Sequence, residues 1–127
     1  MKVTREQVLE ASSGMLQKQV YVVFSTPTRG IGPVMKNLAV HLEHQCSIER
    51  AGVMLAAGPH WTDDERFWDG EGMFVIRARS LEEAREIAAA DPMHKCGARS
   101  FKVRPWLINE GVLNIRVTFS DGKMALE

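Results

Sequence analysis

Two proline-marked stops and one helix-opening signal constrain this chain more than anything else in it. Ala57-Gly58-Pro59 closes an apolar run. Asp91-Pro92 closes a helical one, because the residue before a proline is pushed out of the α region. Ser80-Leu81-Glu82-Glu83-Ala84 opens a helix, with Ser80 and Glu83 at capping-box spacing. Laid along the chain, these marks give the order strand, helix, strand, strand, helix, strand. That order is the ferredoxin-like α+β arrangement: an antiparallel sheet with two helices on one face.

The elements read as follows. Thr4 and Gln7 can cap each other reciprocally, which predicts a helix over 4–17. Val20-Tyr21-Val22-Val23-Phe24 is a β-branched and aromatic run that predicts a strand buried on both faces. Pro27, Gly30, Gly32 and Pro33 break regular structure over 25–33. A helix over 34–50 follows, with Met35, Leu38, Leu42 and Cys46 on an apolar stripe and Gly52 as its stop. Val53 to Ala57 is the second strand, and 60–71 is a loop carrying Trp61, Phe67 and Trp68. Strands over 72–79, 99–106 and 112–119 complete the pattern, with a helix over 80–90 between the first two.

One domain accounts for the 127 residues, with a core over 20–107, a helical extension over 1–19 and a strand extension over 108–127. Lysine plus arginine and aspartate plus glutamate each total 16. That balance forces no basic face and argues against nucleic acid as a partner. No long apolar run predicts a membrane span, and no leader-like segment stands at the start. Two cysteines, Cys46 and Cys96, are too few for a disulfide scaffold and suit free thiols in a reducing cytoplasm. The sheet face away from the helices, if apolar, predicts a homodimer packed sheet to sheet.

Chemistry concentrates on few groups. With Leu38 at the centre of the apolar stripe, His41 falls on the border between buried and exposed faces and His44 on the solvent side. A border imidazole suits acid/base work, and equally a core-edge histidine bonded to a carbonyl. Asp91 at a helix C-terminus opposes the helix dipole, which marks either a functional carboxylate or an Asp-Pro turn. Helices sharing one sheet face can bring His41 to Asp91, an arrangement in which the carboxylate orients the imidazole. No set of ligands completes a metal site, since His60 and His94 lie in loops, and no cofactor is expected. Arg29, before a helix start, and Arg99 are candidate anion holders. Trp61 and Trp68 are candidates for stacking on a substrate or for an interface.

The first strand, His41-Leu42, Ala51-Gly52-Val53 into Ala57-Gly58-Pro59, the strand led by Gly72, Ser80 to Ala84, Ala90-Asp91-Pro92, Gly97 and Val103-Arg104-Pro105-Trp106 together resemble the YCII-related domain family over about 20–107. The resemblance implies a dimeric α+β barrel like that of muconolactone isomerase-type proteins. It also implies a His-Asp active site, which maps onto His41 and Asp91. One branch of the family is a dehydrochlorinase acting on chlorinated hydroxyquinols. The chain departs from the family in both extensions, in Ser25-Thr26-Pro27 where relatives place an acidic residue, and in Met93 where an aromatic is usual. The expected function is therefore a small cytoplasmic enzyme, without cofactor, performing His-Asp elimination or isomerisation on a small, ring-shaped anionic substrate. The alternative is a non-catalytic dimeric module that binds a small molecule or serves as an accessory.

Overall fold

A computed structural model describes residues 1–127, which divide into two compact units, Gln19–Leu107 and the two chain ends (Met1–Lys18 with Ile108–Glu127). The larger unit carries β1 (Lys18–Pro27), α2 (Ile31–Lys36), α3 (Leu38–Arg50), β2 (Met54–Pro59), β3 (Gly72–Ile76), α4 (Leu81–Ala89), α5 (Pro92–Lys95) and β4 (Arg99–Ile108). The end unit carries α1 (Arg5–Ala11), β5 (Ile115–Val117) and β6 (Met124–Leu126). No helix is long and apolar enough to cross a membrane.

Four strands form an antiparallel sheet in the order β2-β3-β1-β4, the ferredoxin-like arrangement. Tyr21 pairs with Ile76, Val23 with Phe74 and Ser25 with Gly72. These alternate residues face the helices, and Tyr21, Val23, Phe74, Ile76 and Val103 pack against Ala84 and Ala88 of α4. The small alanines let α4 lie close on the sheet. Burial of this cluster is the main stabilising term, at roughly 25 cal/mol per Å² of apolar surface. Ser80 caps α4 by accepting from Glu83 N at 3.1 Å. The expected reciprocal half is absent, because the Glu83 carboxylate turns to Arg79 Nε at 2.7 Å. On the other sheet face Phe24, Met73 and Trp106 are half exposed and flank a groove with Arg104.

Several boundaries differ from the sequence expectation, each for a local reason. The helix expected over 34–50 is two helices, broken at Asn37. Gly32 and Pro33 fall inside α2 rather than preventing it, since a first-turn proline gives up a donor that had no partner anyway. The apolar stripe of α3 is also only partly covered, with Leu38 packed against Val34, Met93 and Ala98. Leu42 and Cys46 are exposed and Gln45 is the buried residue of this helix. His44, expected on the solvent side, is half buried with Nε2 shielded and unpaired. Gly52 ends α3 as expected, at φ 76°. In the end unit the Thr4–Gln7 box forms (2.8 and 3.1 Å). Yet α1 stops at Ala11, ahead of turns through Gly14 (φ 91°) and Gln17 (φ 51°). The expected strand over 112–119 shrinks to β5, which gains β6 as a hairpin partner.

Candidate active site

Asp91 sits where two helices meet. It follows α4 and is the N-cap of α5, so its carboxylate accepts from Met93 N at 2.9 Å. The opposition to a helix dipole expected from the sequence is thereby relieved, because the same residue opens a new helical turn. Two further donors reach it from consecutive turns of α3. His41 Nδ1 meets Oδ1 and Gln45 Nε2 meets Oδ2, both at 2.8 Å. His41 and Gln45 are four residues apart and so share one edge of the helix. That polar edge faces Asp91, and Gln45 rather than Leu42 or Cys46 is the buried residue of α3.

Asp91 is 1% exposed. Burial alone would raise its carboxyl, but the hydrogen bond and charge of His41, with the Met93 amide and Gln45, hold it below the ordinary value of 3.8. An ionised carboxylate can only accept, so His41 Nδ1 carries a hydrogen and Nε2 is the atom left free. The side chain of His41 is 12% exposed and lines a cavity of about 420 Å³.

The rest of that cavity is largely apolar. Leu38 and Leu42 of α3 form one side, and Gly58 and Pro59 of β2 with Gly72 and Phe74 of β3 form the floor. Gly72 has no room for a side chain, since a Cβ there would stand 2.9 Å from Gly58 O. Trp61, 63% exposed, stands at the rim, and Trp68 lies deeper with Nε1 donating to Glu71 O at 2.7 Å. The two tryptophans therefore do line one cavity, while Phe67 is exposed and outside it.

The residue match that decides the family runs through this same unit. The family model of the YCII-related domain matches residues 19–107. The chain belongs to that family. Every cavity-lining residue of the YCII-related domain falls inside the matched span. Among solved structures, the domain is similar to 5-chloro-2-hydroxyhydroquinone dehydrochlorinase from Burkholderia phenoliruptrix AC1100, in complex with 2,5-dihydroxybenzoquinone. That similarity has a TM-score of 0.53 at 18% identity, covering 68% of this chain and 92% of the other. At that identity it shows the fold. A search of curated protein sequences finds no match.

Of the two candidate arginines, the YCII-related domain brings only Arg99 to the cavity. Arg29 is exposed on the β1–α2 connection, outside the cavity lining. Arg99 is 6% exposed, donates from Nε to Gly70 O at 2.9 Å, and sets its guanidinium 5.9 Å from the Trp68 ring centroid. Gly70 presents that carbonyl at φ 95°, where a Cβ would also stand 2.8 Å from Pro27 Cγ. Burial pulls Arg99 below its ordinary value, and the charge of Asp91 opposes it. A guanidinium in such a place, with Nη donors to spare, is suited to an anion.

Sequence reasoning missed three polar residues here. Gln45 was visible in principle, one turn from His41. Ser25 fell in a segment read as a break, whereas β1 runs through it to Pro27. His94, read as a loop residue, lies in α5. Its Nδ1 meets Ala88 O at 2.6 Å and its Nε2 meets Ser25 Oγ at 2.7 Å.

Proposed function

We propose that this protein is a small-molecule enzyme that performs acid/base chemistry with His41, needing no cofactor for the step, on a small, ring-shaped anion. The observation that carries the reading is the 2.8 Å contact from His41 Nδ1 to buried Asp91 at the wall of an apolar cavity. Asp91 fixes the tautomer and stabilises the imidazolium, so Nε2 takes a proton from the substrate. In an elimination, the electron pair of the broken C–H bond becomes a double bond and the leaving group departs with its bonding pair. In an isomerisation, the imidazolium returns the proton to another atom of the same molecule. Arg99 holds the anionic group, and Trp68 with Trp61 flanks the ring. The ligand of the structural neighbour, 2,5-dihydroxybenzoquinone, is a ring of the size such a cavity takes. The half-exposed apolar residues Phe24, Met73 and Trp106 support a homodimer through the open sheet face. Exposed free thiols at Cys46 and Cys96 suit a reducing, cytoplasmic setting.

Ring-nitrogen NMR on the wild type and Asp91→Asn tests this. We expect His41 to hold the Nδ1–H tautomer in the wild type, to lose it in Asp91→Asn, and to respond when benzoate is added. A His41 signal indifferent to both changes overturns the reading in favour of a binding module. Any ring acid turned over in a screen should lose about 100-fold or more of its rate in His41→Ala.

A further inference from the structure

One cavity-lining residue belongs to a second hydrogen-bonded pair that the His41–Asp91 chemistry does not use. Ser25, on β1, is 3% exposed and lines the cavity beside His41. Its Oγ lies 2.7 Å from His94 Nε2. The other ring nitrogen of His94 lies 2.6 Å from Ala88 O, and a carbonyl can only accept. His94 Nδ1 therefore carries the hydrogen, and in the neutral ring Nε2 is an acceptor. Ser25 must donate its single hydrogen to that nitrogen. The imidazole is held in this pose by Phe101 at 4.5 Å and Phe74 at 6.3 Å between ring centroids. What Ser25 offers the cavity is consequently its oxygen lone pairs and no donor.

We propose that Ser25, oriented by His94, is a specificity-determining residue that accepts a hydrogen bond from a ring hydroxyl of the ligand, so that the cavity selects hydroxylated ring acids over their unhydroxylated counterparts. This rests on the reading that the cavity takes a ring-shaped anion. Arg99 and Ser25 then divide the work, one holding the anionic group and the other the hydroxyl. Burial keeps His94 neutral by lowering its basicity, helped by the charges of Arg99 and His41 and opposed by the Ala88 hydrogen bond and Asp91. The acceptor-only state of Ser25 is thus the resting state near neutral pH.

Titrating the protein with benzoate, 3-hydroxybenzoate and 4-hydroxybenzoate by calorimetry tests the assignment. The expected result is that one hydroxybenzoate binds roughly three- to tenfold more tightly than benzoate, the worth of one hydrogen bond. Ser25→Ala removes that preference while still binding benzoate. His94→Gln, whose Oε1 can stand where Nε2 stands and accept from Ser25, retains a preference that His94→Leu loses. Equal binding of all three probes by the wild type, or a preference that survives Ser25→Ala, overturns the role of Ser25 and leaves the cavity reading standing. Failure of every probe to bind the wild type overturns the cavity reading, and this inference with it.

Discussion

His41 lines the cavity and His94 bonds to the cavity-lining Ser25; both rings are anchored through the same ring atom, but by acceptors of different kinds. His41 Nδ1 donates to the Asp91 carboxylate, at 2.8 Å. His94 Nδ1 donates to the Ala88 backbone carbonyl, at 2.6 Å. Both anchors select the same tautomer, which leaves Nε2 of the neutral ring without a hydrogen; that of His94 accepts from Ser25. Only the carboxylate carries a full charge, which favours the imidazolium once the ring has taken a proton. The carbonyl offers a dipole, set against the burial that holds His94 below its ordinary value of 6.5. In the proposed reading, one ring receives a proton and the other stays neutral and orients Ser25.

The largest effect that can break this contrast is removal of the charged anchor. Asp91→Ala leaves His41 Nδ1, Gln45 Nε2 and the Met93 amide without their acceptor. We expect a loss of about 3–5 kcal/mol in chemical denaturation, the usual cost of breaking a buried charged network. His94→Ala strands the neutral Ser25 hydroxyl, while the Ala88 carbonyl keeps the Asp91 amide at 3.2 Å, and should cost about 1–3 kcal/mol. Equal losses would mean that the carboxylate contributes no more than the carbonyl does, and the contrast would fail.

A smaller effect, read without changing the cavity, is the acid limb of stability. The folded protein holds His94 below 6.5, so the unfolded chain binds that proton first as pH falls. Stability from this source is complete above 6.5 and declines as pH drops through it towards the lower folded value. Asp91 behaves alike in its own range. Its folded value lies below 3.8, so its contribution is complete above 3.8 and is lost as pH falls towards the folded value. Denaturation midpoints between pH 8 and 3 should show two declines, and His94→Gln should abolish the upper one alone.

Two members of the charged corner, His41 and Asp91, were legible as candidates because each carries a local signal, and the family resemblance implied their pairing. His41 sits at a definable helical angle, and Asp91-Pro92 marks its own position. The neutral corner was not, because nothing local announces it. Ser25 and His94 are 69 residues apart, and their meeting depends on β1 running to Pro27 and on α5 forming after the proline. The strand order was legible for the same local reason as His41, since Gly58-Pro59, Ser80 and Asp91-Pro92 each act on the backbone within a few residues. The inward face of α3 was not. Periodicity favoured Leu42 and Cys46, and two hydrogen bonds from α3 to one buried carboxylate outweighed it by turning His41 and Gln45 inward instead.

Gln45 gives the smallest and most discriminating test of the charged corner. It donates to Asp91 Oδ2 at 2.8 Å and is itself buried. Gln45→Leu keeps most of the volume and removes one donor of three, leaving Oδ1 fully paired. The stability cost should be about 1–2 kcal/mol at neutral pH, between that of an ordinary hydrogen bond and one to a charged group. With fewer donors, the Asp91 carboxyl rises towards its ordinary value, so the lower acid decline should grow shallower and the upper one should not move. Were the upper decline to shift as well, the two histidine corners would be coupled through Asp91, whose charge also acts on His94.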